Sequence, residues 1–429
     1  MTLRGHLAAV ALLTILVAAG CGQAGTSKGL EGTTINFSIK VDDSERPAIQ
    51  ALLTRFQRQE KVTVNLEQLS RFRQPLGPTV NLVTDLDPKA LIARVRKQVT
   101  TRTTGIDLFA QDNVALSDLT YPTLLVQNLS QLDRGRGDPP TDPGTPGLLS
   151  PYFLAFRPNV RVAYANKAAF TKAGLKPPTT EDEFTRAAAA LVQSGQPKVT
   201  LSLAYGDPAA VTISELVLSH GGDPLVLNDA GSVEAFTFLQ NLWRNGLLSP
   251  ASFQAKYDTE VDNLLNGTSL LAENWPFTTA RLAKLGRTQD FVVNQGWRGP
   301  TKEAHVIGGD VLGIPVGVQG KRLQAAVDLA NFLRSKESQE FLARRNSWPS
   351  FRSDIDYSKL PKNQQATFNA IKEAQKSGWY RPSVPNWQEV SDRMNDAVQR
   401  IVERGQPVQA VLDDLHGQLV QSTSSGGSG

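Results

Sequence analysis

The sequence predicts an α/β protein of two domains with room for a binding cleft between them. Three observations lead there. Apolar residues switch repeatedly between strand-like alternation and helical spacing from Ile35 onward. The chain beyond its N-terminal leader, about 400 residues, exceeds what a single hydrophobic core usually serves. A Pro/Gly-rich stretch between Asp138 and Pro151 then interrupts the pattern before it resumes.

Ile35, Phe37 and Ile39 alternate as a strand. Ser44 caps a helix with Ile49, Leu52, Leu53 and Phe56 on its inner face, and Val62, Val64 and Leu66 alternate again. Asp87-Pro88 starts a helix carrying Leu91, Ile92 and Val95, Gly105 ends the segment, and Ile106 to Ala110 reads as a buried strand. This is a βαβαβ unit, the start of an open parallel sheet. Beyond the Pro/Gly stretch, Val160 to Asn166 is a strand leading into a helix near Lys167, and Thr180 with Glu183 forms a capping box for the Ala-rich helix through Val192. Val199 to Tyr205 reads as extended; helices follow near Ile213 to Leu218 and from Ser232 to Trp243. A short helix stops at Gly267, Ser269 to Ala272 is a strand, and a helix opens after Glu273 to Phe277. Val306 to Pro315 is a strand containing Gly308, Gly309 and Asp310, ahead of a helix with Leu323, Ala326, Val327, Ala330 and Leu333 in phase. Three helical stretches finish the chain, and residues 422–429 form a Ser/Gly-rich tail expected to be disordered.

At the other end, Arg4 precedes an apolar run from Leu7 to Ala19, and Ala18-Ala19-Gly20 leads into Cys21, the only cysteine. The run is shorter than the roughly 20 residues a membrane span needs and has the layout of an export signal. Cys21 resembles the processed cysteine of a bacterial lipoprotein signal, although Ala18 stands where leucine is commoner; a plain secretory signal is the alternative. Residues 1–21 are therefore expected to be a lipoprotein signal and 22–32 a flexible tether, which places the mature protein outside the cytoplasm, anchored to the cell membrane by lipid on Cys21.

The net charge of +4 is spread without a basic-aromatic run, which argues against nucleic acid. His6 lies in the leader and His220, His305 and His416 show no ligand spacing, so no metal or cofactor is expected. Phosphate-loop and nucleophile-elbow motifs are absent.

Four stretches in order carry a family resemblance: Arg161 to Thr180 (RVAYANKAAFTKAGLKPPTT), Leu271 to Phe277 (LAENWPF), Ile307 to Pro315 (IGGDVLGIP) and Phe332 to Leu342 (FLRSKESQEFL). Together they resemble the extracytoplasmic solute-binding proteins of carbohydrate ABC importers, the maltose- and trehalose-binding cluster, over nearly the whole mature chain. The resemblance implies the two-lobed periplasmic-binding-protein fold, type II-like, each lobe a mixed or parallel sheet flanked by helices. It implies hinge strands near Phe156, Phe291 and Arg345, so that 33–156 with 291–345 make the first lobe and 157–290 with 346–421 the second. It further implies no enzymatic activity, a monomer, a carbohydrate ligand and an ABC permease as partner.

Sugar recognition combines carboxylates and amides with aromatic rings, because hydroxyls bond strongly to charged acceptors and C–H faces cover flat rings. Glu273, Trp275 and Phe277 offer that mixture; helix capping for Glu273 and core packing for Trp275 are the plain alternatives. Asp112 and Asn113 follow the strand Ile106 to Ala110 at its carboxyl end, where open α/β sheets collect ligands, with a turn cap as the alternative. Asp43 occupies the same place after the first strand, with an equal claim as an N-cap. The resemblance adds Gly309 and Asp310, Arg381 and Trp387 as contacts, against a glycine turn, surface ion pairing or simple packing; Trp348 reads as core or hinge. In the trehalose/maltose branch a polar residue stands six before the strand tyrosine, whereas Pro158 stands six before Tyr164. A disaccharide, a glycosylated polyol or a short oligosaccharide fits what remains. The rivals are a glycoside hydrolase using Asp112 and Glu273, which demands a defined carboxylate separation, and the same fold holding a non-sugar solute.

Overall fold

The computed structural model describes residues 29–41, 45–69, 88–130, 148–382, 384 and 387–425. The alternation from Ile35 to Ile39 forms β1 (Thr34–Lys40), and the helical stripe that follows forms α1 (Arg46–Glu60), burying Ile49, Leu52, Leu53 and Phe56. β2 (Thr63–Leu69), α2 (Pro88–Thr101), β3 (Leu108–Asp112) and the short α3 (Leu116–Thr120) complete the first unit, with β2 and β3 both parallel to β1. The expected caps at Ser44 and Asp87 lie outside the described residues.

β4 (Leu148–Ser150) and β5 (Phe153–Asn159) join the same sheet, and β6 (Val162–Asn166) begins another. Then come α4 (Lys167–Lys172), α5 (Glu181–Gln193), α6 (Asp207–Ser219), α7 (Ala230–Arg244), α8 (Tyr257–Asn266), β7 (Leu271–Asn274), α9 (Phe277–Lys284) and β8 (Phe291–Asn294). The Thr180 hydroxyl accepts from the Glu183 amide at 3.2 Å, as the capping box requires, while the Glu183 carboxylate turns back to Thr179 rather than Thr180. β9 (His305–Gly313) returns to the first sheet. It is followed by α10 (Gly320–Leu333), α11 (Lys336–Asn346), α12 (Lys362–Gln375), β10 (Gly378–Tyr380), α13 (Trp387–Ala397) and α14 (Val408–Ser425).

The larger sheet has the order β2-β1-β3-β9-β5-β4, with β10 alongside β9, and is mixed because β9 runs antiparallel to both β3 and β5. Its core gathers Phe37, Phe56, Phe156, Leu312 and Leu329. The smaller sheet, β7-β6-β8, departs from the mixed or parallel pairing expected: both pairs are antiparallel. The cause is the β7-α9-β8 crossover, whose two strands run the same way and leave β6 between them running the other way. Phe184, Phe236, Leu239 and Met394 fill the core beneath it.

Val199 to Tyr205, read as extended, joins neither sheet but bridges a neighbouring segment: Val199 pairs in parallel with Leu248, Val199 N donating to Leu247 O at 3.1 Å and Leu203 N to Ser252 O at 3.0 Å. Two local readings change. Four helices rather than three follow α10, because the Ser335 hydroxyl caps α11 separately by accepting from Ser338 N. The tail is helical through Ser425, where α14 ends.

Candidate functional site

β3 ends where its chain meets the middle of β9, with Asp112 opposite Asp310. Asp112 takes up the turn-cap role, accepting from Val114 N at 3.0 Å, yet its side chain stays 46% exposed and lies 3.5 Å from Arg381. Asn113 is buried. Its amide nitrogen donates to Ile307 O at 2.8 Å, and its carbonyl oxygen accepts from Arg381 at 3.2 Å.

Arg381 follows β10 and is itself buried. Its other terminal nitrogen reaches Asp207, the first residue of α6, at 2.5 Å, and Asp207 also accepts from the Tyr257 hydroxyl at 3.0 Å. Burial works against the Arg381 charge, but Asp207 and Asp112 hold it protonated above its ordinary value. One guanidinium thus joins the end of β3 on the larger sheet to the start of α6, which packs with the smaller one. Two half-exposed carboxylates flank it, with oxygens left over to accept from hydroxyls.

An aromatic wall adjoins this bridge. The Trp275 and Tyr257 rings meet edge to face with centroids 5.6 Å apart, and Trp379 packs on the same cluster as Trp275 and Val306. Trp275 is only 8% exposed, so much of its surface is spent on packing. Phe277, at the first turn of α9, is 38% exposed.

On the larger sheet, Arg157 lies over the Trp348 ring, 4.2 Å from its centroid, and pairs with Asp310 at 2.7 Å. The Trp348 indole nitrogen donates to Glu45 at 2.6 Å. Burial, helped by the nearby Asp112 and Glu45 charges and opposed by Arg157, pushes the Asp310 carboxyl up to about 6. Trp348 is a core residue here. Gly309 has φ +88°, and a Cβ on it would fall 1.9 Å from Arg157 O, so the backbone that comes close is the neighbouring strand β5 at a break in register.

Glu273 stands apart from the Arg381 bridge. It faces a cavity of about 30 Å³ lined by Arg161, Thr212, Glu215, Trp297 and His305 among others, with its carboxylate 3.9 Å from Arg161. Burial, with Glu215 adding repulsion and Arg161 opposing, pushes it up to about 7. The helix-cap alternative for Glu273 is not what the geometry gives, and α9 has no side-chain cap. Trp387 starts α13 inside the core, 6.2 Å from Trp379. Asp43 and Cys21 lie outside the described residues.

Of the expected residues, the structure brings Asp112, Asn113 and Arg381 into one constellation with Trp275 beside it. Glu273, Gly309 and Trp387 are engaged elsewhere. Sequence reasoning missed Asp207 and Tyr257. The Gly206-Asp207-Pro208 helix start was the available signal for Asp207; Tyr257 had none.

Residues 51–370 match the family of bacterial extracellular solute-binding proteins. A comparison with curated proteins finds no match. Among solved structures, the sugar-binding protein MalE from Xanthomonas citri superposes with a TM-score of 0.75 at 16% identity, covering 92% of this chain and 100% of that one. Maltose-bound MalE3 of T. maritima gives 0.72 at 18% identity over 90% and 99% of the two chains. The GacH receptor of Streptomyces glaucescens gives 0.68 at 16% over 91% and 98%. At these identities the likeness speaks for the fold, the two-lobed periplasmic binding fold. No helix among the described residues is long and apolar enough to cross a membrane. The family match spans most of the chain and both sheets, and on that ground the chain belongs to the bacterial extracellular solute-binding proteins.

Proposed function

We propose that this protein is the lipid-anchored receptor of an ABC importer, capturing a sugar between its lobes and delivering it to the permease without chemical change. The observation that carries the reading is the Arg381 bridge: Asp112 and Asn113 from one lobe and Asp207 at the edge of the other converge on one guanidinium beside the Trp275 and Tyr257 rings. Carboxylates able to accept from hydroxyls, next to flat apolar faces, suit a saccharide. Because groups from both lobes converge, a ligand placed there gains contacts only when the lobes are together, the condition for binding to favour closure. Fold neighbours are described with maltose, with acarbose and with ribitol, which supports the reading of a di- or oligosaccharide or a glycosylated polyol as ligand. The hydrolase alternative gains nothing from the arrangement, since Asp112 belongs to the Arg381 bridge and Glu273 to the Arg161 cluster.

We take Cys21 as the anchor and the protein as a monomer. A thermal-shift and calorimetric screen of di- and trisaccharides tests the reading: a cognate sugar at a hundred times its Kd should add about 2.7 kcal/mol of apparent stability. If no saccharide shifts the transition and Asp112→Ala changes nothing, the sugar reading is wrong.

A further inference from the structure

The lobes are joined where the chain passes from the core against one sheet to the core against the other. Asn159 is the last residue of β5 paired with β9, and Val162 is the first of β6 paired with β7, so Val160 and Arg161 make one crossing. β9 makes another. Its first part, His305 to Ile307, brings Ile307 into one core cluster with Val162, Tyr164 and Ala272 of the smaller sheet, and from Gly308 onward it pairs with β5 and β3 of the larger one. Both crossings are buried, Arg161 at 3% and Val306 at 0% exposure.

A single carboxylate holds both. One oxygen of Glu215 is ion-paired with Arg161, and the other accepts from Val306 N at 2.9 Å. Arg161 is fixed further by donating to Thr212 Oγ1 at 3.0 Å, one turn earlier on the same helix. That helix is α6, buried from Ala209 to Ser219, and its first residue is Asp207 at the Arg381 bridge. Eight residues separate Asp207 from Glu215, about 12 Å along the axis. The path closes on itself: Asn113, also on Arg381, donates to Ile307 O, next to the Val306 amide that Glu215 holds.

We propose that Glu215 is a positioning residue, a clamp that ties the two crossings together and so fixes the lobe orientation in which Asp112, Asn113 and Asp207 share Arg381. It touches no ligand. A carboxylate that spends one oxygen on each crossing cannot turn without leaving a buried charge or a buried amide unmatched, which is costly. The two crossings therefore move as a unit with α6, and that helix carries the constraint from the hinge to the cleft. The site is preorganised by this route, so that less ordering remains to be done when solute arrives. The inference rests on the cleft being the solute site, but its central measurement does not.

The test uses the full mature chain with Cys21→Ser, and spin labels at Thr54→Cys on α1 and Lys172→Cys on α4, exposed positions on opposite lobes. Interlobe distance distributions are recorded without ligand for this parent and for Glu215→Gln, which can still accept from Val306 N but loses the ion pair. The clamp predicts one narrow distribution for the parent and at least a doubling of its width in the variant. For any sugar found to bind the parent, Glu215→Gln should weaken affinity about tenfold with stoichiometry unchanged. If Glu215→Gln does not fold, Arg161→Met/Glu215→Gln/Glu273→Gln removes the guanidinium together with both carboxylates that face it and should show the same broadening. A lower melting temperature with unchanged width overturns the proposal, as does a parent already as broad as the variant. Failure of every sugar to bind the parent defeats the receptor reading, while the ligand-free widths still decide the clamp.

Discussion

The Trp275 indole rests directly against the backbone of Gly308: a Cβ at that glycine would lie 2.9 Å from the ring's Cη2 and 3.1 Å from its Cζ3. Trp275 comes from the corner between β7 and α9, and Gly308 from the point where β9 begins to pair with β5. Gly308→Ala should therefore push the ring off its seat and destabilise the protein by about 1–3 kcal/mol, as overpacking does. Urea unfolding monitored by tryptophan emission reads both effects, and an unchanged midpoint would show that the contact gives way freely.

Trp275→Ala is expected to affect stability and binding together. At 8% exposure the ring is mostly core, and its loss should cost about 3–5 kcal/mol. Sugar affinity of the protein that remains folded should fall by more than about 1 kcal/mol, as for an aromatic anchor. Melting and titration on the same sample separate the two. Full affinity in the folded fraction would assign the ring to packing alone.

Arg381→Met removes the link between Asp112, Asn113 and Asp207. Truncating one partner of a buried charge pair at an interface costs about 2 kcal/mol or more, so affinity should drop roughly thirtyfold, and Asp112→Ala should drop it in the same direction. Isothermal titration with the cognate sugar measures both variants. Wild-type affinity in Arg381→Met would remove the bridge from the site.

Glu260 makes stability depend on pH. Its carboxyl is fully buried, accepts from the Ser202 hydroxyl at 2.6 Å, and is pushed up to about 8 by burial. A group raised in the folded state favours folding most below its ordinary value of 4.5, and this contribution is lost as pH rises from there through about 8. Glu273 and Asp310, raised to about 7 and about 6, act in the same direction over narrower windows. Unfolding free energy should thus decline from pH 5 to pH 8, and Glu260→Gln should flatten the decline by a few kcal/mol, at about 1.4 kcal/mol per unit. Denaturant titrations across that range give the slopes. Parallel curves for the two proteins would contradict the assignment.

For the anchor, Cys21→Ser should abolish acylation and release the protein from membranes. Intact mass and fractionation of cells expressing each form provide the check. A wild-type mature protein with no acyl mass and a soluble distribution would leave secretion alone standing.

The helices were the most legible part of the sequence. Ile49, Leu52, Leu53 and Phe56 define the buried face of α1 by spacing, and the Thr180 cap could be read three residues ahead of its partner amide. Both are local, so sequence contains them. The Val199 to Tyr205 run is as apolar as a strand, but which backbone meets its amides depends on the 247–252 segment, and no local pattern reports that. The site divides the same way. Asp112 and Asn113 were legible from their place at the carboxyl end of a strand. Asp207 reaches Arg381 across 174 positions of sequence, and Arg157 occupies Asp310, which was expected to face ligand. At Gly309, expected as a ligand contact, the group that fills the space of a missing side chain is the carbonyl of Arg157.

The larger sheet places β9 between β3 and β5, yet β9 is synthesised only after the whole of β6 to β8 and their helices. Until it arrives, β3 and β5 have nothing between them, and each presents an unpaired edge on which another chain could build. Neither lobe can finish folding as the polypeptide emerges. The larger sheet therefore closes only once residues 305–313 are available to fill the gap between β3 and β5.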